Sequence, residues 1–232
     1  MEAILLAGGR AERLGEAAEG RPKPLVSVAG RPLVSYQIAH LAAAGVKRVI
    51  VCCAAGVEDA FLTALTGLGA DIVPVPELEP LGRGGAIKHG ALARTEPGPV
   101  YALNGDELID VDLLALRKQH EASGAAATIT VSPLRSAFGV VEVDDDDRVT
   151  GFREAPRLPY WVNCGVYLLG EEALARFPDR GDHELTTFPE LAAEGLLHAY
   201  RHEGMWLTVN TPKDLRIAEE YVSEHPDWLR VR

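Results

Sequence analysis

Four short apolar runs without polar alternation mark the first half of the chain: AILLA (3–7), RVIVCCA (48–54), DIVPV (71–75) and PVYALN (99–104). Runs of this kind predict strands covered on both faces. Segments of helical character lie between them. PLVSYQIAHLAAAG (32–45) and VEDAFLTALTG (57–67) each end at a glycine, and GGAIKHGALAR (84–94) stops short of a proline. Strand and helix in alternation predict a mostly parallel sheet with right-handed crossovers.

Beyond residue 125 the pattern shifts. AAATITVSP, AFGVVEVDDDDRVTGFREAP and YWVNCGVYLL carry β-branched and aromatic residues with short turns between them, which predicts antiparallel pairing. Asp144 to Asp147 stand between two such runs and suit an acidic hairpin turn. A calcium loop would need alternating ligands and a glycine at its sharp turn. Helices are expected again at 171–177, 187–194 and 212–224, the last opened by Thr211 as N-cap and Pro212 in the first turn. No repeat, low-complexity linker or sharp boundary divides the chain. The expected fold class is α/β, a Rossmann-like, mostly parallel central sheet flanked by helices, with an antiparallel insertion.

Composition narrows the function classes. The chain has 232 residues, enough for one α/β domain with a sizeable core, and 47% hydrophobic with 25% charged residues is the balance of a globular protein. No apolar run approaches the roughly 18 residues that a membrane span needs, and MEAILLAGG lacks the basic flank and cleavage pattern of a signal peptide. The three cysteines, two of them adjacent in a strand-like run, read as small core residues of a reducing cytoplasm. The net charge of −11 argues against a nucleic acid partner. A small phosphate ligand needs only local positive charge.

That charge is found in ILLAGGRAERLG (4–15), an apolar run that falls into a glycine pair and two arginines. A glycine-rich turn leaving the first strand of a parallel sheet exposes backbone N–H groups at the carboxyl end, where α/β proteins bind ligands. The spacing matches neither the dinucleotide fingerprint nor the P-loop, because Gly8 and Gly9 are adjacent and Gly15 is followed by Glu16. Ten residues beyond Arg13, Lys23 stands between two prolines that keep it out of a helix. It suits a point charge aimed at a polyphosphate or a solvated lysine in a connector. Asp106, in LNGDEL, follows an apolar strand and emerges at the same end of the sheet, as a ligand for a hard cation or as an ordinary turn residue.

LAGGRAERLG followed by RPKPLVSVAGRPLVSYQI resembles the signature of the sugar-1-phosphate nucleotidyltransferases, enzymes of GT-A-like fold that make nucleotide sugars. Ala11 and Glu12 depart from the usual L-A-G-G-x-G-T-R-L. The likeness continues in EPLGRGGAIKHGA (79–91), YALNGDELIDVDL (101–113), FGVVEVDDDDRVTGFREAP, WVNCGVYLL and WLTVNTPKDLRIAEE, and covers roughly residues 1–222. It implies one catalytic domain, with a nucleotide-binding half to about residue 125 and a sugar-binding half after it. It does not include the C-terminal left-handed β-helix that many relatives carry.

The resemblance also implies roles. Leu6, Ala7, Gly8 and Gly9 would hold the NTP with Gly84, Gly85, Asn104 and Gly105, while Arg13 and Lys23 would be catalytic, Lys23 stabilising charge at the α-phosphorus. Asp106 would hold Mg2+. Many relatives carry a second ligand, an Asp, where this chain has Thr208; Asn210, two residues on, takes the role by likeness to an Asn of the acetylglucosamine-1-phosphate uridylyltransferases. The Asn also suits the turn before TPKDL. Sugar binding falls to Gly139, Glu154, Asn163 and Gly165. Ala155 replaces a lysine that would meet the sugar phosphate, with Arg153 or Arg157 as substitutes if the strand is regular there.

LGRGGAI resembles the L-G-T-G-G-A-I of short guanylyltransferases acting on mannose-type and heptose 1-phosphates, and the absence of a Gln near Gly85 leaves room for a purine. The expected partners are therefore GTP and a sugar 1-phosphate, with a homodimer left open. Uridylyl or thymidylyl transfer, for instance to muramic acid 1-phosphate, and an inactive nucleotide-sugar-binding regulatory subunit are the alternatives.

Overall fold

The computed structural model describes residues 1–9 and 11–225. Its strands are β1 (Glu2–Leu6), β2 (Ser27–Val28), β3 (Arg31–Pro32), β4 (Arg48–Ala54), β5 (Asp71–Glu77), β6 (Val100–Asn104), β7 (Glu107–Ile109), β8 (Ala127–Arg135), β9 (Val140–Val143), β10 (Val149–Arg153), β11 (Arg157–Leu169), β12 (Leu197–Arg201) and β13 (Trp206–Thr208). The helices are α1 (Leu33–Ala43), α2 (Glu58–Leu65), α3 (Gly82–Ala91), α4 (Leu113–Ser123), α5 (Glu171–Arg176), α6 (Thr187–Ala193) and α7 (Pro212–Glu224).

Seven strands form one sheet in the order β12-β8-β11-β6-β1-β4-β5. Only β11 runs against the rest, since it is antiparallel to both β6 and β8 while every other pair in this sheet is parallel. Strand alternation divides the apolar residues between two layers. Ala3, Leu5, Val49, Val51 and Leu103 face α1, α2 and α4 through Ile38, Leu41, Phe61 and Leu116. Ile4, Ile50, Cys52 and Ala102 face α3, α5 and α6 through Ile87, Leu174 and Leu191. Apolar runs without alternation are what a sheet covered on both faces requires.

The antiparallel pairing expected of the second half is present between β8 and β11 and in the β9–β10 hairpin. β8, β11 and β12 extend the main sheet, and β8 and β12 lie parallel to its first strands. The β9–β10 hairpin forms its own two-stranded sheet, and its Asp144–Asp147 turn is closed by Asp144 Oδ1, which accepts from the Asp146 and Arg148 N–H groups at 3.0 and 2.9 Å. Burial pushes all three cysteine thiols above their ordinary pKa, and none is in a disulfide. Among the described residues no helix is long and apolar enough to cross a membrane.

A segment between α5 and α6 closes over the start of α3. Gly181 O accepts from the N–H groups of Gly84 and Gly85 at 2.9 and 3.3 Å, and a Cβ on Gly85 would lie 2.6 Å from Asp179 O. The segment is anchored by His183, fully buried, stacked on Phe177 at 4.9 Å and edge-on to Tyr167 and Phe188. Neither ring nitrogen has a hydrogen-bond partner. Burial holds its pKa down at about 4, against the pull of Asp182 and with the repulsion of Arg83. The unfolded chain therefore binds a proton that the native state refuses between about pH 6.5 and 4, and stability falls as pH falls through that window, by roughly 3 kcal/mol at its foot. His183→Phe, which keeps an aromatic ring in the cluster, is expected to flatten that acid limb in urea titrations at pH 7 and pH 4.5.

Candidate active site

The parallel strands deliver their carboxyl ends to one edge of the sheet, and the predicted residues gather there. The glycine loop leaves β1, Asn104-Gly105-Asp106 leave β6, and Glu77 ends β5. The Asn-Gly-Asp-Glu turn is fixed from below: Gln37 of α1 donates to the carbonyls of Asn104 and Glu107 at 2.8 and 2.7 Å, and Gly105 N–H donates to Leu6 O at 2.9 Å. β7 pairs with β13 so that Glu107 faces Thr208, and Val209 N–H donates to Asp106 O at 3.0 Å. Asn210 is thereby set beside Asp106. Its own N–H donates to Asp214 Oδ2 at 3.1 Å, and Thr211 and Asp214 form the capping box of α7, so the turn reading of this stretch holds together with a side chain that faces the site.

The geometry centres on Lys23. Its ammonium, on a residue only 7% exposed, donates to the Asp106 carboxylate and to Asn210 Oδ1 at 2.7 Å. Arg13 Nη2 donates to the same Asn210 oxygen at 2.9 Å. The departure at Ala11 and Glu12 leaves Arg13 in a 3-10 turn (Glu12–Ala18) anchored by buried Leu14 and Ala18. A single small core binds all of these segments, because Leu14, Val26, Leu108 and Val209 pack in one cluster beneath Arg13, Lys23, Glu107 and Asn210.

Above them opens a cleft of about 450 Å³, within the range of small-ligand sites. Leu6, Gly8, Gly9, Lys23, Asn104, Gly105, Asp106, Thr208 and Asn210 line it, with Glu77, Pro80, Gly82, Arg83, Ala86 and Glu107. Its lining runs from Glu77 at the end of β5 to Asn104 at the end of β6, strands three spacings or about 14 Å apart in the sheet. Gly165, on β11, abuts the β6 end: its backbone is left-handed at φ +65°, and a Cβ there would lie 2.6 Å from Glu107 Oε2.

Other predicted residues stand apart. Ala7 is buried, with its N–H donating to Cys52 O at 2.7 Å. Gly84 and Gly85 are buried under the 178–183 segment, which explains both glycines by close packing, while Gly82 and Arg83 face the cleft. Asn163 is held within the fold, donating to Glu184 Oε1 and Tyr167 OH at 2.8 and 2.9 Å and accepting from Gly165 N–H at 2.9 Å. Gly139 and Glu154 adjoin each other on the exposed hairpin, outside the cleft lining. The strand is not regular beyond Arg153, since β10 ends there and Ala155 has φ +42°. Arg153 reaches Glu142 and Arg157 reaches Glu203, so neither meets the cleft. Arg10 and residues 226–232 lie outside the described residues.

Three cleft residues escaped the sequence reading. Glu77 Oε2 accepts from Leu81 N–H at 3.0 Å, leaving its other oxygen towards Gly8. Arg83 donates to Asp182 at 2.8 Å and pairs with Glu184 at 2.7 Å. Glu107 is buried, and burial, reinforced by Asp106, pushes its carboxyl up to about 8. The sequence signal for Glu77 and Glu107 was position alone: Glu77 closes the strand β5, and Glu107 follows the apolar strand β6 by three residues.

An α/β sheet carrying a glycine loop, a buried lysine and a carboxylate at its carboxyl edge is an arrangement suited to a phosphorylated ligand. The chain belongs to the nucleotidyl transferase family, whose profile matches residues 2–225. It is 31% identical over 224 residues to the mannose-1-phosphate guanylyltransferase catalytic subunit beta of Drosophila pseudoobscura pseudoobscura, covering 91% of this chain and 60% of that protein. The mannose-1-phosphate guanylyltransferase of Mycobacterium tuberculosis is also 31% identical, over 92% of this chain and 62% of its own length. The chain thus spans about three fifths of these curated relatives. Among solved structures, HddC from Yersinia pseudotuberculosis complexed with GMP-PN superposes with a TM-score of 0.73 at 23% identity, covering 95% of this chain and 98% of that one.

Space at the glycines separates two kinds of constraint. A Cβ on Gly9 meets nothing nearer than Lys23 Cδ at 3.9 Å, whereas one on Gly165 collides with Asn104 and Glu107 in a left-handed backbone. Gly9→Ala should keep stability within about 0.5 kcal/mol, and Gly165→Ala should lose about 1–3 kcal/mol, measured by urea unfolding at pH 7.

Proposed function

We propose that this chain transfers a guanylyl group from GTP to a mannose-type or heptose sugar 1-phosphate and releases pyrophosphate. The observation that carries the reading is the convergence of Lys23, Arg13, Asp106 and Asn210, from four remote segments, at the mouth of a cleft opened by Gly8 and Gly9. The names of the relatives and the guanine nucleotide in the HddC structure support the choice of base and sugar.

The sugar-phosphate oxygen attacks the α-phosphorus, and the bond to the β-phosphate breaks with its electron pair leaving on pyrophosphate. The attacking oxygen is already anionic, so no general base is needed, and the chain aligns reactants and stabilises charge. Backbone N–H groups at Gly8 and Gly9 meet the β- and γ-phosphates, close enough only because no side chain intervenes. Lys23, freed from Asp106 and Asn210 by the arriving phosphate, stabilises charge at the α-phosphorus, and Arg13 holds the departing pyrophosphate. One carboxylate and one amide oxygen at Asp106 and Asn210 suit Mg2+, a hard cation that takes oxygen ligands and completes its shell with water and phosphate. Bound there, it would offset phosphate charge and polarise the α-phosphorus.

At the β5 end, the open oxygen of Glu77 is an acceptor for the N1–H and N2–H2 donors that guanine presents together. Uracil and thymine have no such pair. This favours guanine over the pyrimidine alternatives and makes Glu77 a base-reading residue. Gly84 and Gly85 then serve the base site through packing, by seating Gly82 and Arg83.

The test is pyrophosphate release with Mg2+, each common NTP and mannose, glucose or heptose 1-phosphate. Release with GTP and a manno-configured sugar is expected, and Lys23→Ala or Arg13→Ala should lower turnover by a factor of about 100 or more. Asp106→Ala should abolish metal-dependent GTP binding in calorimetry. Binding of GTP with no turnover of any pair would instead establish the regulatory-subunit alternative.

A further inference from the structure

The floor of the cleft carries a carboxylate that phosphate transfer does not use. Glu107 lines the cleft and is 6% exposed. Its Oε1 accepts from Asn104 Nδ2 at 3.3 Å and its Oε2 from Trp206 Nε1 at 3.4 Å, both longer than the 2.7–3.2 Å of a normal bond. Among the described residues no lysine or arginine pairs with it, and the nearby Lys23 ammonium is held by Asp106 and Asn210. A carboxylate offers about four acceptor directions. Here two are weakly used, in a place where water is scarce.

Such a group is costly to bury unless donors complete it. Had the position only to fill space between β6, β7 and β11, an apolar residue would do so without that cost. The backbone makes room for the carboxylate instead: Gly165 packs against it, and the Cβ it lacks would lie 2.6 Å from Glu107 Oε2, while the side chain still lines the cleft. Asn104, which shares this floor, has a buried Oδ1 with no hydrogen-bond partner.

The chemistry of the missing donors follows from charge and place. A phosphate brings acceptor oxygens and no donor that could complete Glu107. The base end of the cleft lies at Glu77, three strands away on the order β5-β4-β1-β6. What remains at the β6–β11 end is the sugar ring, whose hydroxyls are uncharged donors that form short bonds to carboxylates. We propose that Glu107 is a specificity-determining residue that accepts hydrogen bonds from one hydroxyl, or two neighbouring hydroxyls, of the sugar 1-phosphate. The assignment rests on the transfer reaction above and adds the residue that reads the sugar.

The test compares wild type and Glu107→Gln on mannose 1-phosphate and its 2-, 3-, 4- and 6-deoxy derivatives with GTP. Wild type should lose 100-fold or more in kcat/KM when one particular hydroxyl is removed, in keeping with the discrimination of sites built to bond a substrate hydroxyl. Glu107→Gln should lose at least 30-fold on the parent sugar, discriminate less than fivefold against that same deoxy sugar, and keep its KM for GTP within threefold. Because the ratio is taken within each protein, incomplete folding of the variant cancels. A variant that slows all five sugars alike, or keeps the wild-type discrimination, overturns the assignment and leaves the reaction standing. A wild type that releases no pyrophosphate with any sugar 1-phosphate overturns both.

Discussion

The Lys23 ammonium, held between the Asp106 carboxylate and Asn210, joins three segments separated by 83 and 187 positions. A buried ammonium is tolerated only where acceptors replace its water, so this contact requires the loop after β1, the turn after β6 and the end of β13 to arrive at one point. The packing beneath enforces it. Leu14, Val26, Leu108 and Val209 are each within three residues of Arg13, Lys23, Asp106 or Asn210 and share one apolar cluster. Burial of the cluster and convergence of the polar groups are one event seen from two sides.

Helices and strands of the first half were legible because a two-sided sheet leaves an unambiguous record. A strand with Ile4 against one layer and Ala3 and Leu5 against the other can only be apolar throughout. Thr211-Pro212 announced α7 through capping chemistry that is local and needs no tertiary information. The glycine pair, Lys23 and Asp106 were legible for a different reason. Each is chemically conspicuous where it stands: glycines leaving a strand, a lysine between prolines, a carboxylate after an apolar run.

What escaped reading depends on partners distant in sequence. β-branched runs after residue 125 report strands but not the sheet they enter, and only the register of β11 against β6 reveals that β8, β11 and β12 continue the first sheet. Gly84 and Gly85 resemble ligand-facing glycines until the 178–183 segment is laid over them. Asn163 has the composition of a sugar ligand, yet Glu184, Tyr167 and Gly165 occupy its donors and acceptor. Arg153 or Arg157 was to stand in for the lysine replaced by Ala155, Arg153 only on a regular strand. The left-handed backbone at Ala155 breaks the alternation on which that expectation depended.

For the proposed reaction, an acidic chain must keep its carboxylates from repelling polyanions, and the cleft is built to do so. Three carboxylates line it. Asp106 is paired with Lys23 and, in the proposed reaction, lies where phosphate and a cation would meet. The other two are Glu77, at the end of β5, and Glu107, which directly follows Asp106 beyond β6, three strands away in the sheet. In the proposed reaction the guanine base and the sugar ring present uncharged N–H and O–H donors at these two positions rather than phosphate oxygens. Charge is thus sorted along about 14 Å of sheet edge: acceptors where the ligand donates, a lysine and backbone N–H groups where it accepts. The net charge of −11 says nothing against this arrangement, because screening confines the effect of distant surface carboxylates, and within the cleft the sign of the charge is set residue by residue.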